Sequence, residues 1–239
     1  MSEGRKPEIS VVVPAFNEAA VITATLHDIV SYLKKHFAFF EVIVVDDGSR
    51  DDTVTLAAAV TGVTVLRNER NRGKGFSVRR GVLASNGTLI LFMDADNSTN
   101  IRELNHFLTD IRTADIVIGS RALSGSVVEV SQNIVKRLLG RIGNRMIRIL
   151  LGLRLQDTRC GFKLFKSSTK QIFEKQYIEG WSFDDEILFL AHRAGMKIVE
   201  SPVIWVNNFD SKVSPMVYLT TVAHLVGIRW RYHRGKYNS

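Results

Sequence analysis

Along the first half of the chain, short apolar runs alternate with longer stretches whose apolar residues recur at helical spacing. Residues 9–13, 40–45, 63–66, 89–93 and 115–119 read as strands, and Pro14 is placed to stop the first. Residues 18–35 carry Ala20, Ile22, Ala24, Leu26, Ile29, Val30 and Leu33 on a helical stripe, with Asn17 positioned as its cap. Shorter helices are expected over 51–59, 73–85 and 101–111. Strands taking turns with helices predict an α/β fold: a mostly parallel sheet joined by crossover helices.

After Arg121 the pattern changes. Residues 131–152 place Ile134, Leu138, Ile142, Met146 and Ile149 at helical spacing, with Lys136, Arg137, Arg141, Arg145 and Arg148 on other sides. That is a basic amphipathic helix, open to two readings: an ordinary solvated surface helix, or one that meets an anionic membrane or a phosphate. A turn and short strand follow over 157–165, then helices over 167–176 and 181–193 and a last strand over 198–206. An amphipathic helix from Met216 and a basic tail over 229–236 end the chain.

Composition narrows the class. At 239 residues the chain suits a single domain, with no repeats and no low-complexity stretch. Its lone cysteine, Cys160, excludes an intramolecular disulfide and a cysteine-based zinc site, and suits a small buried residue. A net charge of +8 implies anionic partners, among which nucleic acid, a membrane surface and phosphorylated small molecules stay open. No signal peptide is visible at the N-terminus, and residues 216–230, with Thr220, Thr221, His224 and Arg229, fall short of a bilayer span. The six histidines are scattered without ligand spacing.

Three predicted strands end in polar segments: Pro14 to Glu18, Asp46 to Ser49, and Asp94-Ala95-Asp96. In open α/β sheets ligands bind at the carboxyl ends of strands, so these segments should meet in one crevice. In an extended chain Asp94 and Asp96 point to the same side and can converge on a hard cation, Mg²⁺ or Mn²⁺. The alternative is that Asp94 opens a loop and Asp96 or Asn97 caps the next helix. Asp46 and Asp47 can equally be turn formers before Gly48. Lys74, between Gly73 and Gly75, can approach phosphates closely but lacks the spacing of a P-loop.

Pro14-Ala15-Phe16-Asn17-Glu18, Val44-Val45-Asp46-Asp47-Gly48-Ser49, Asn71-Arg72-Gly73-Lys74-Gly75 and Asp94-Ala95-Asp96, in this order, resemble the inverting family 2 glycosyltransferases of GT-A fold. Asp157-Thr158-Arg159-Cys160-Gly161-Phe162-Lys163-Leu164-Phe165, Phe183-Asp184-Asp185-Glu186, and Trp205-Val206-Asn207 with Ser211-Lys212-Val213 resemble the branch that includes dolichyl-phosphate glucose and mannose synthases. The likeness runs from Ile9 to about Arg229. It implies a GT-A, Rossmann-like sheet flanked by helices, with C-terminal amphipathic helices. Residues 8–120 would form a nucleotide-sugar-binding half and residues 121–239 an acceptor-binding half.

The resemblance also implies roles. Asp94 and Asp96 would hold the metal, with Pro14, Ala15, Glu18, Asp47, Gly73 and Lys74 lining the nucleotide-sugar pocket. Arg121, Arg137, Arg141 and Lys212 would hold the acceptor's phosphate. Asp184 and Asp185 would position the acceptor or bind a sugar hydroxyl, helix capping being the alternative for both. An acceptor phosphate is already ionised near neutral pH, so no strong base is required.

Some mannose synthases of this branch carry Gln two residues beyond the second Asp. Here Ser98 stands there, a poorer ligand, which places UDP-glucose ahead of GDP-mannose as donor. The expected activity is hexose transfer to a dolichyl or other polyprenyl phosphate, by a cytoplasmic protein peripheral to the membrane and without nucleic acid as partner. A non-catalytic basic protein binding a membrane or nucleic acid is the alternative from another class; it leaves the strand-end carboxylates unexplained.

Overall fold

The computed structural model of the chain describes residues 6–129, 145–206 and 216–237. Its centre is a seven-stranded sheet in the order β3-β2-β1-β4-β7-β5-β8. Four parallel strands make one side: β1 (Ile9–Ala15), β2 (Phe40–Asp46), β3 (Val63–Arg67) and β4 (Leu89–Met93). Beyond β5 (Ile116–Ser120) and the short β6 (Val127–Glu129), the chain returns as β7 (Phe162–Lys166), which runs antiparallel between β4 and β5. β8 (Ile198–Pro202) completes the sheet beside β5, and β9 (Ile204–Val206) pairs with β6 in a separate two-stranded ribbon. The strand expected over 198–206 is thus divided at Val203 between two sheets.

Helices cover both faces. These are α1 (Ile22–His36), α2 (Thr53–Ala58), α3 (Lys74–Ala84), α4 (Leu104–Asp110), α5 (residues 145–151), α6 (Lys170–Glu174), α7 (Phe183–Arg193) and α8 (Met216–His233). Alternation within each strand sorts the core into two layers. Val11, Val13, Leu91 and Met93 face α1 and α4 through Leu26, Ile29, Leu104 and Phe107. Val12, Ile90 and Phe92 face the other way, onto Val78, Val82, Phe173 and Leu188 of α3, α6 and α7. Strands buried on both faces explain why they read as continuous apolar runs. Full burial of one such side chain is worth roughly 1.5–3 kcal/mol.

Local details depart from expectation where tertiary contacts prevail. Pro14 does not stop β1: β1 pairs with β4 only as far as Val12, so the missing proline N–H falls where one neighbour has already left. Asn17 does not cap α1, which starts at Ile22; it adopts a positive φ of 54° and accepts a hydrogen bond from Arg50 N, tying two loops together. Nor does Asp96 or Asn97 cap the next helix. That role falls to Asn100, whose side chain accepts from Arg102 N at the entry to a 3₁₀ turn before α4.

The basic amphipathic helix expected over 131–152 lies within the described residues only as α5. Arg137, Arg141 and Lys212 lie outside them.

Candidate active site

β1, β2 and β4 are parallel and adjacent, so their C-terminal ends open on one edge of the sheet, and the order reverses between β1 and β4. This is the topological switch point at which α/β sheets bind ligands. The antiparallel sense of β7 adds a second supply of residues. Phe162 pairs with Met93, so the segment before β7 arrives at the same edge as the segment after β4. β5 runs parallel to β8 and ends in Ser120, delivering Arg121 beside it.

The first two loops are stitched together by backbone N–H groups. Asp47 N donates to Ala15 O (2.8 Å), Asn17 N to Ser49 Oγ (2.9 Å) and Glu18 N to Thr53 Oγ1 (2.8 Å). Asp46 accepts from Gly48 N and Ser49 N, the turn-forming role read for it. Asp47 does more than turn: Oδ1 accepts from Asn68 Nδ2 (2.8 Å) and Arg72 N (3.0 Å), and Oδ2 from Gly73 N (2.8 Å). It therefore fixes the glycine loop at the entrance to α3 from its place directly after β2. Gly73 is required there by its φ of 106° and by the Glu179 carbonyl, 2.6 Å from where a Cβ would stand.

Asp94 and Asp96 leave β4 through a turn rather than an extended segment, with Ala95 buried between them. Asp94 N donates to Gly161 O (3.0 Å), and Asp96 Oδ1 accepts from Ser98 N (2.9 Å). Ser98 thus orients Asp96 through its backbone. Burial pushes the Asp96 carboxyl up, and the neighbouring Asp94 charge pushes it further.

Lys74, the first residue of α3, brings its Nζ to 2.6 Å from Asp94 Oδ1. Burial alone would lower this ammonium's pKa. The carboxylates of Asp94, Asp184 and Asp96 outweigh burial and raise it. One cation therefore senses all three acids, which come from opposite halves of the chain.

The second tier holds the acids of α7. Lys163 Nζ lies 2.7 Å from Asp184 Oδ1 and donates to Cys160 O (2.6 Å). Asp185 accepts from Thr158 Oγ1 (2.8 Å) and Arg159 Nη2 (2.9 Å) and is fully buried. Neither aspartate caps the helix; both sit in its first turn, where the helix dipole favours negative charge. Burial raises the pKa of Asp184 against the opposing pull of Lys163 and Lys74. Phe183 packs edge-on to Phe92, ring centroids 5.8 Å apart, and so seats the start of α7 on β4.

Arg121 is held by Asp157 through Nε (2.7 Å) and Nη2 (3.0 Å), leaving Nη1 outside that fork. The guanidinium also lies 5.3 Å from the Trp205 ring centroid. Val206 N donates to Ser98 O (2.8 Å), which brings β9 against the loop that carries Asp96.

The sequence reading missed Lys163, Arg159, Asp157 and Gly161 as site components. A signal existed for the first: a lysine within the apolar strand Phe162–Lys166 is a buried charge that needs a partner. Among the described residues no group of three or more His, Cys, Asp or Glu side chains is arranged to hold a metal. Asp94 and Asp96 nonetheless fit a divalent ion. They are hard oxygen donors, and the buried Asp94 Oδ1 makes no well-formed hydrogen bond besides its contact with the Lys74 ammonium. The remaining ligands would be water or substrate oxygens.

Residues 10–173 match glycosyl transferase family 2. The chain is 35% identical to a dolichyl-phosphate beta-glucosyltransferase of Dictyostelium discoideum, covering 95% of this chain and 75% of that protein. The Saccharomyces cerevisiae protein of the same name is 32% identical, with 96% and 76% covered. The human one is 34% identical, with 95% and 76% covered. Among solved structures, glucosyl-3-phosphoglycerate synthase from Mycobacterium tuberculosis in complex with UDP superposes with a TM-score of 0.70 at 23% identity, covering 94% of this chain and 80% of that one. Mannosyl-3-phosphoglycerate synthase from Rubrobacter xylanophilus gives 0.71 at 18%, with 95% and 75% covered. These likenesses establish the GT-A glycosyltransferase fold, and the chain belongs to glycosyl transferase family 2.

Proposed function

We propose that this enzyme transfers a hexose, glucose from UDP-glucose, to the phosphate of a dolichyl or other polyprenyl lipid. The observation that carries the reading is the meeting of Asp94, Asp96, Lys74 and Asp184 at one sheet edge, with Arg121 delivered beside them by β5. Relatives named dolichyl-phosphate beta-glucosyltransferase support the donor sugar and acceptor, and a structural neighbour crystallised with Mn²⁺ and UDP supports the metal and nucleotide.

A divalent ion on Asp94 and Asp96, Mg²⁺ or Mn²⁺, would supply charge stabilisation for the departing diphosphate. The chain's own groups do the rest. Lys74 reaches the diphosphate from the start of α3, and Asp47, Pro14, Ala15 and Glu18 border the nucleotide. Arg121 offers Nη1 to the acceptor's phosphate, with Arg137, Arg141 and Lys212 as its companions. Asp184, within reach of Lys74's field, is the acid we assign to a sugar hydroxyl or to positioning the acceptor. Asp185 is sealed by Thr158 and Arg159 and holds the start of α7. Two anions brought together need cations between them more than they need a base.

No helix among the described residues is long and apolar enough to cross a membrane. Val222, Val226 and Trp230 nevertheless form an exposed stripe along α8, Trp230 being 55% exposed with Arg234 beside its ring. That surface supports peripheral attachment where the lipid acceptor resides, on the cytoplasmic face.

Incubating the purified protein with radiolabelled UDP-glucose or GDP-mannose, a polyprenyl phosphate and Mn²⁺ tests the proposal. Glucose should appear in the lipid phase. Label from GDP-mannose alone would reassign the donor, and label from neither would overturn the reading.

A further inference from the structure

We propose that Lys74 is a resident counter-cation for Asp94, exchanged between that carboxylate and a nucleoside diphosphate, so that a divalent ion gains Asp94 together with the nucleotide rather than ahead of it. The inference rests on the metal and nucleotide roles proposed above and assigns Lys74 a task beyond holding phosphate.

Asp94 is clamped on both oxygens. Oδ2 lies against the Cα of Gly161, where a Cβ would overlap it, and Oδ1 meets the Lys74 ammonium at 2.6 Å. Oδ1 is buried and has no other hydrogen-bond partner among the described residues, so it is the oxygen a cation would take. An ammonium and a divalent ion cannot share it without strong like-charge repulsion in a poorly screened site. The Lys74 side chain is only 17% exposed, so a displaced ammonium has little water to receive it.

The residue is built to move without its backbone. Gly73 and Gly75 pack directly on the 178–179 carbonyls, and Phe76 N donates to Glu179 O (3.0 Å), which pins the start of α3. A flexible four-carbon stem carries the charge from there. The rings of Phe92 and Trp181 stand 5.4 and 5.1 Å from Nζ, an aromatic surround that favours a cation along its short path. A diphosphate in the cleft supplies the alternative partner. Lys74 then passes to phosphate oxygens, and Asp94 Oδ1 is released to the metal. Metal and nucleotide each favour the other's binding, and the coupling is reciprocal.

Mn²⁺ titration followed by the electron paramagnetic resonance of the free ion, with and without UDP, tests this without turnover. In the wild type, Mn²⁺ alone should bind weakly and UDP should tighten it. Lys74→Met should bind Mn²⁺ alone about ten-fold more tightly than wild type, with the enhancement by UDP shrinking by about the same factor. Lys74→Arg, which keeps the charge, should retain the wild-type pattern. Arg70→Met removes the same charge from the exposed loop that leads into α3 and should leave Mn²⁺ affinity within about two-fold.

Unchanged Mn²⁺ affinity in Lys74→Met overturns the proposal, as does an equal gain in Arg70→Met, which would reveal a general charge effect. Should Lys74→Met fail to show a wild-type circular dichroism spectrum, Lys74→Gln is read in the same titration. Absence of Mn²⁺ binding by wild type even with UDP removes the metal reading itself, an outcome distinct from failure of the lysine exchange.

Discussion

Gly161 and Asp94 are in such close contact that a side chain of a single carbon on the glycine would overlap the carboxylate, with Oδ1 also only 2.6 Å from that carbon. The glycine carbonyl simultaneously accepts from Asp94 N (3.0 Å), so β7 holds the acid by both backbone and shape. Gly161→Ala should therefore displace Asp94 by about an ångström and lower kcat/KM by about 100-fold. Steady-state kinetics beside a circular dichroism spectrum checks it: the spectrum should be unchanged.

Lys163 and Asp184 are both nearly inaccessible, their side chains 2% and 6% exposed. Removing one member strands the other, so Lys163→Met should cost about 3–5 kcal/mol of stability, read by urea unfolding. The double variant Lys163→Met/Asp184→Leu should recover most of that loss, since an apolar pair has no unmatched charge.

Acid should act through Asp157. Burial pushes its carboxyl up, but the Arg121 guanidinium and backbone N–H groups outweigh burial and hold it below the ordinary value. A lowered native pKa contributes stability that is complete above the unfolded value of about 3.9 and is lost as pH falls through the lower native one. The melting-temperature gap between wild type and Asp157→Asn should be constant from pH 7 to about 5 and shrink below about 4.

Glu186 is fully buried on α7, and burial raises its pKa against hydrogen bonds from Tyr237 Oη (2.5 Å), Ile178 N (2.7 Å) and Tyr177 N (3.0 Å). Tyr237→Phe removes one of these donors and should destabilise the protein by about 1–3 kcal/mol in chemical denaturation.

Cys160 is buried, and burial pushes its thiol up to about 11. Native protein at pH 8 should resist iodoacetamide, while protein in urea should take up one equivalent, as mass spectrometry would show.

Strands β1, β2, β4 and β5 could be read from the sequence because burial on both faces writes a mainly apolar run into each, whereas the edge strand β3, with Thr64 and Arg67 exposed, shows only a short broken one. The carboxylates at their ends were equally visible, since chain order alone sets parallel strand ends side by side. Pro14 misled because the rule that proline ends strands is local, whereas the relief it enjoys comes from β4 stopping at its pairing with Val12. Asn17 misled similarly: its partner Arg50 lies on another loop. Lys163, Arg159 and Asp157 escaped notice as a group because their partners Asp184, Asp185 and Arg121 lie 21 to 36 residues away, and ion pairs at that separation leave no periodicity. The motif marked the segment, yet only the antiparallel entry of β7 reveals what it touches.

That entry also bears on how the chain can be cut. β7 belongs to the second half by sequence yet sits between β4 and β5 of the first. A fragment ending at Ser120 would leave the facing edges of β4 and β5 without the strand that joins them, two apolar templates for pairing with other chains. The two halves of the sequence thus form one sheet, and the amino-terminal piece expressed alone should aggregate until the missing strand is supplied.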